Sequence, residues 1–163
     1  MARVVLKLDD DVSTDVIYPG RHMATVLPGE TPQFAFADLP DFNARLHRGE
    51  VPPGSVVAAG VNFGCGSSRE QAVSCLVGHG LVVVAGGYAR IFLQNAVNLG
   101  LRVVTAPGLL AGEGDELDVL EDRVVNHTTG RSVPVVPLPA SRQSIVDAGG
   151  LVAYTRARLA ARP

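Results

Sequence analysis

Residues 55–105 read SVVAAGVNFGCGSSREQAVSCLVGHGLVVVAGGYARIFLQNAVNLGLRVVT, and this stretch decides the fold. Pro53-Gly54 punctuates the chain just before it, and residues 55–60 are a short apolar run of the kind that forms a strand buried on both faces. Residues 62–66 make a tight glycine-containing turn. Ser67-Ser68-Arg69-Glu70 then offers an S-x-x-E capping box ahead of an apolar-periodic stretch through Ala72, Leu76 and Val77 that stops at Gly78 or Gly80. The pattern repeats, with a strand at 81–85, a turn at Gly86-Gly87, a helix at 88–99 closed by Gly100, and a strand at 101–105. Strands and helices alternating in this way predict an α/β fold, a partly parallel sheet with helices packed on it.

Working outward, residues 3–8 are β-formers and residues 9–15 are polar and rich in turn residues, so a strand and then a loop are expected. Residues 18–40 hold four prolines and little periodicity, which predicts an extended surface loop with one short helical turn. Residues 116–136 are Val-rich short strands broken at Glu121-Asp122 and Thr129-Gly130, hence hairpins; a closing helix at 141–161 is interrupted at Gly149-Gly150.

The chain has 163 residues, 47% hydrophobic and 18% charged, which suits a single domain over 1–163 with its own core. Its net charge of −2 and scattered Lys and Arg give no basic face to track a phosphate backbone, so small molecules or protein partners are expected and nucleic acid is not. No apolar run approaches the ~18 residues of a membrane span, and residues 1–9 read as a strand and not as a signal peptide. A cytoplasmic location is expected. Cys65 and Cys75, ten apart, match neither a disulfide framework nor a C-x-x-C site, so a cluster or zinc would need ligands from outside.

Chemistry concentrates at Asn62-Phe63-Gly64-Cys65-Gly66-Ser67-Ser68-Arg69-Glu70. Two glycines let the backbone approach a ligand, and a helix opening there presents free N–H groups. Two hydroxyls and a guanidinium on its first turn suit a carboxylate, which Arg69 can grip with two parallel hydrogen bonds. The plainer alternative is a well-capped helix with a surface arginine. A Gly-Lys-Ser/Thr is missing, as is the third glycine of a dinucleotide fingerprint, so both nucleotide motifs are excluded.

This motif, together with Tyr88-Ala89-Arg90-Ile91-Phe92, Asn95, Asn98-Leu99-Gly100, Thr14-Asp15-Val16-Ile17 with Pro19 and Arg21, and residues 145–151 (Ile-Val-Asp-Ala-Gly-Gly-Leu), resembles the swivel domain of the aconitase superfamily. Within it the chain is most similar to isopropylmalate dehydratase small subunits. The resemblance implies a swivelling β/β/α domain closing over a [4Fe–4S] cluster that three cysteines of a large partner subunit hold. It further implies that Ser67 is the base that takes the substrate's Cα proton, that Arg69 binds a substrate carboxylate with help from Ser68, and that Asp15 is a polar site residue. Leucine biosynthesis is the implied pathway. Homoaconitase and citramalate or dimethylmalate dehydratase small subunits are alternatives within the class. A carboxylate-binding regulatory module is the alternative outside it, and a neighbouring reading frame with three cluster cysteines distinguishes the two classes.

A serine base needs help. A free hydroxyl has a pKa near that of water, far above neutral pH. A helix N-terminus contributes at most ~2 kcal/mol, which at ~1.36 kcal/mol per unit lowers that value by only about 1.5. Further positive charge has to come from Arg69, from the partner and from the cluster, which the resemblance also casts as the Lewis acid that polarises the departing hydroxyl.

Substrate choice is expected to lie in Gly20-Arg21-His22-Met23-Ala24-Thr25. Members of the family carry Tyr-Leu-Arg-Thr or Tyr-Leu-Val-Tyr where this chain has His22-Met23-Ala24-Thr25. The arginine form faces an extra carboxylate and the valine form an isopropyl group. Ala24 occupies the deciding position and Met23 stands beside it, which predicts a compact uncharged substituent; Arg21 and His22 complete the set of substrate-binding candidates. Asp9, Asp10 and Asp11 are expected to be a solvated turn. Arg90 and Asn95 are expected to position the first helix and not to touch substrate, and Cys65 to serve packing. His47, His79 and His127 are too scattered to suggest a site.

Overall fold

The computed structural model describes residues 1–161. Strand β1 (Ala2–Lys7) leads into a short helix α1 (Thr14–Ile17), two 3₁₀ turns (Gly20–His22 and Thr31–Phe34) and helix α2 (Pro40–His47). The central run follows as β2 (Val56–Ala59), α3 (Glu70–Gly78), β3 (Val82–Ala85), α4 (Arg90–Leu99) and β4 (Val103–Thr105). Strands β5 (Glu116–Val119), β6 (Arg123–Asn126) and β7 (Arg131–Pro134) precede helices α5 (Ala140–Asp147) and α6 (Leu151–Ala160), with the break between the helices at Gly149-Gly150 as expected.

All seven strands form one sheet in the order β4-β3-β2-β1-β5-β6-β7. The first four are parallel, and from β1 outward through β5 to β7 every pair is antiparallel. The apolar runs of β2 and β3 are buried at every position because both faces are covered. Val57, Ala59, Val83 and Ala85 pack toward the helices with Leu76 and Phe92. Val56, Ala58, Val82 and Val84 pack on Leu117 and Val124 of the antiparallel half, which curls over them. The result is a β/β/α layering, the fold that the resemblance implies.

The expectation for residues 18–40 holds only in part: residues 20–30 are mostly exposed turns and loop, but Tyr18, Thr31, Ala35 and Phe36 are fully buried. Proline fixes φ near the value a tight turn needs, so Pro32 supports a 3₁₀ turn that carries Phe36 into the core. Helix α2 stands where no element was expected. It buries Phe42 and Leu46, four residues apart on one face, and sets the Phe42 ring edge-on to Phe36 at 5.3 Å.

Candidate active site

Three loops meet where β1, β2 and β3 end, the position at which open parallel sheets collect ligands. The loop after β1 and the loop after β2 are zipped together by backbone bonds: Gly64 N–H donates to the Val12 carbonyl at 2.7 Å, and Thr14 N–H donates to the Cys65 carbonyl at 2.8 Å. The loop after β3 joins through Phe63 N–H to the Gly87 carbonyl (3.0 Å) and Ala89 N–H to the Phe63 carbonyl (2.9 Å). Asp10 and Asp11 are not merely solvated. The Asp10 carboxylate accepts the Val61 N–H at 2.8 Å, and the Asp11 carboxylate accepts the Asn62 amide at 2.7 Å. They clamp the two loops because a carboxylate accepts backbone and amide donors that the turn would otherwise leave open.

Gly64 is the tightest point. Its φ of +80° suits glycine, and a Cβ there would lie 2.2 Å from Phe92 Cγ. Phe92 packs edge-on to Phe63 at 5.1 Å and stacks with Tyr88, so an aromatic cluster supports the motif from below. The Tyr88 hydroxyl donates to strand carbonyls and is well above its ordinary pKa because it is buried.

The capping box is not formed. Helix α3 begins at Glu70 with Arg69 as its N-cap, and no side chain caps it. The Ser67 carbonyl instead accepts Arg69 N–H at 2.9 Å and the buried Thr14 hydroxyl at 3.1 Å, which ties the serine to the loop after β1. Ser67 and Ser68 therefore sit in the turn ahead of the helix, exposed, and not on its first turn.

Arg69 is different in kind from its neighbours. Its side chain is only 10% exposed. One guanidinium nitrogen, Nη1, donates to the Asp15 carboxylate and to the Tyr18 carbonyl (3.3 Å). Its Nε is buried without a hydrogen-bond partner. Asp15 also accepts Gly20 N–H at 3.1 Å, and the Arg69 hydrogen bond holds its carboxyl below the usual Asp range. Ser67, Ser68, Arg69 and Asp15 thus come together, with Gly20 tied to the same knot.

The specificity candidates divide. Arg21 pairs with Asp38 at 2.6 Å in the open, so a structural partner already holds it. His22 stacks on Phe34 with ring centres 4.0 Å apart and planes 8° from parallel. Met23 and Ala24 project outward and are exposed, while the Met23 carbonyl accepts the Gln71 amide of α3 at 3.3 Å.

The remaining candidates take supporting positions. His47 and His79 each bond a carbonyl of the 3₁₀ turn, Gln33 at 2.8 Å and Pro32 at 2.9 Å. His127 lies 2.8 Å from Asp118 on the antiparallel half. Arg90 opens α4 exposed to solvent, and Asn95 is half-buried. The half-buried Cys65 thiol donates to the Asp11 carbonyl at 3.3 Å, whereas Cys75 is fully buried and pushed well above the ordinary thiol range by that burial. Two cysteines in separate settings do not fit the ligand set of an iron–sulfur cluster, and among the described residues no group of three or more His, Cys, Asp or Glu is placed to hold a metal ion. No helix among them is long and apolar enough to cross a membrane.

Residues 36–107 match the model of the aconitase C-terminal domain. The 3-isopropylmalate dehydratase small subunit of Moorella thermoacetica is 40% identical over 89% of this chain and 88% of its own length. The chain belongs to the isopropylmalate dehydratase small-subunit family. Its relatives include the isopropylmalate/citramalate isomerase small subunit of Methanocaldococcus jannaschii, 40% identical over 96% of this chain and 94% of that protein. The crystal structure of 3-isopropylmalate dehydratase from the same organism superposes with a TM-score of 0.86 at 34% identity, covering 97% of this chain and 94% of that one.

Against this family background, three contributors to the site stand out that the sequence alone does not reveal. Thr14 is buried and holds the Ser67 carbonyl; Tyr18 supplies a carbonyl to Arg69; Phe92 props Gly64. Thr14 and Phe92 lie inside motifs that the resemblance uses, so the signal was present without its meaning. Tyr18 shows none: a tyrosine before a proline reads as loop.

Proposed function

We propose that this chain is the small subunit of a hydro-lyase that dehydrates and rehydrates an alkyl-substituted malate, with 3-isopropylmalate first among them, in the cytoplasm and in complex with a large subunit. The observation that carries the reading is the exposed Ser67-Ser68 pair beside a nearly buried Arg69, pre-oriented by Asp15, at the ends of the parallel strands. In this reading the Ser67 oxygen takes the Cα proton as the C–H bond breaks, the C–H electron pair forms the C=C bond, and the C–O bond on the neighbouring carbon breaks so that its hydroxyl leaves and is protonated to water. Arg69 and Ser68 hold a carboxylate, a task for which a planar fork is suited. Met23 and Ala24 face the alkyl group. The [4Fe–4S] cluster of this enzyme class is assigned to the large subunit, since the two cysteines here do not suit it. Citramalate is the second substrate to test, because the Methanocaldococcus relative carries it in its name.

The test is anaerobic co-expression with the large subunit and an assay against isopropylmalate, citramalate, dimethylmalate and homoaconitate. The two-chain complex is expected to favour the alkyl malates, and the chain alone to be inactive. Faster turnover of homoaconitate, or dehydration by the single chain, overturns the reading.

A further inference from the structure

We propose that Tyr18 is a positioning residue that fixes the shape of the 21–25 loop and thereby the discrimination between alkyl substituents. The proposal rests on the reading that this loop faces the substituent. Tyr18 is fully buried at the end of α1, yet its hydroxyl reaches the loop from beneath, sharing its proton between the carbonyls of His22 (3.2 Å) and Thr25 (3.3 Å). Those two carbonyls bracket Met23 and Ala24, the exposed pair.

Besides that strut the loop is tied down at Arg21, which pairs with Asp38, and at the Met23 carbonyl, which accepts the Gln71 amide. Its own bonds are a run of tight turns, His22 N–H to Pro19, Met23 N–H to Gly20 and Thr25 N–H to His22, at 3.0–3.2 Å. Short 3₁₀ pieces have poor hydrogen-bond geometry and do not persist on their own. The ring contacts complete the floor: His22 stacks on Phe34, and Tyr18 meets both edge-on, at 6.5 Å and 6.2 Å. Burial raises the Tyr18 phenol above its ordinary pKa, so the hydroxyl remains a donor through neutral pH. The backbone of the same residue accepts from Arg69 at 3.3 Å. Tyr18 therefore ties the carboxylate-gripping arginine to the loop that reads the substituent.

Tyr18→Phe removes the hydroxyl and keeps the ring. Three measurements test it on the two-chain complex: amide hydrogen exchange over residues 20–25, kcat and KM for isopropylmalate and citramalate, and the same constants for Ala24→Arg as a reference. Exchange over residues 20–25 is expected to rise about five-fold, the factor that one net hydrogen bond carries. KM for isopropylmalate is expected to rise more than kcat falls, and the kcat/KM ratio between the two substrates to shrink. A general loss of stability would lower both substrates alike and leave that ratio in place. If Ala24→Arg shifts the ratio and Tyr18→Phe does not, the role of Tyr18 is refuted while the loop reading stands. If neither shifts it, the loop does not read the substituent and the proposal falls with that reading. Unchanged exchange over 20–25 also refutes the strut.

Discussion

Gly64→Ala tests whether the site motif is built on the aromatic cluster. The new methyl would meet Phe92 at Cγ (2.2 Å), Cδ2 (2.4 Å) and Cβ (2.5 Å). These atoms are the root of the side chain, so rotating the ring does not relieve the contact and α4 itself has to move. Placing an alanine at φ +80° costs roughly 1–2 kcal/mol on its own, and forcing an extra methyl into a packed site adds roughly 1–3 kcal/mol. The sum is about 2–5 kcal/mol, or a fall in Tm of roughly 4–20 °C for a chain of this size. Gly66→Ala is the control. It has a similar φ of +90°, but its nearest neighbour, Thr14 Oγ1, is 3.7 Å away, so it carries the backbone cost alone. Urea or thermal unfolding of the three chains reads the difference directly. Adding Phe92→Ala to Gly64→Ala is expected to cost less than the two single changes together, since the contacts with Cγ and Cδ2 are then gone and only the one with Cβ remains. Gly64→Ala no more destabilising than Gly66→Ala would refute the packing argument.

Ser67→Ala is expected to leave stability within about 0.5 kcal/mol, as for surface substitutions away from special features, because the exposed hydroxyl caps nothing; turnover of the complex is expected to collapse, measured by steady-state kinetics. Ala24→Arg is expected to raise the complex's activity on homoaconitate relative to isopropylmalate, since it puts a guanidinium where an alanine leaves an extra carboxylate unpaired; a panel assay reads the ratio. The depressed pKa of Asp15 means that its pairing with Arg69 is complete above the ordinary Asp value and is lost only as pH falls through the lower folded value. Carboxyl NMR is expected to show Asp15 titrating below ordinary aspartates, and Arg69→Gln to move it upward.

The strands and helices of residues 55–105 were legible because each carries its own local signal: an apolar run, a glycine stop, a 3.6-residue period. The hairpins at Glu121-Asp122 and Thr129-Gly130 were legible for the same reason. What was lost was lost to tertiary contacts. The capping box at Ser67 is a correct local pattern, but the Thr14 hydroxyl, 53 residues away, takes the Ser67 carbonyl and the helix starts later. Residues 18–40 look like a loop by composition, yet their two ends pack into the core, with Phe36 meeting Phe42 on a helix whose short period gave no sign. Asp15 shows the limit at the site itself. The resemblance implies that it is a polar site residue, yet only the structure shows that its first partner is Arg69.

The corrected position of Ser67 sharpens the case for a site shared between two chains. A serine on the first helical turn would gain at most ~2 kcal/mol from the helix. Ser67 lies three residues before α3 starts, and the first turn of that helix carries the Glu70 carboxylate, which opposes the field. The cation nearest to Ser67 in sequence, Arg69, is already paired with Asp15. A dicarboxylate arriving at this surface brings still more negative charge. Each unit of pKa lowering needs ~1.36 kcal/mol of preferential stabilisation of the alkoxide, and bringing a hydroxyl that ionises, like water, far above neutral pH down toward neutrality needs many such units. Arg69 paired with Asp15 and the start of α3 behind Glu70 do not supply them. If Ser67 takes a proton as proposed, the positive potential that allows it has to come from the proposed partner, and the Ser67-Ser68 turn is exposed to such a surface.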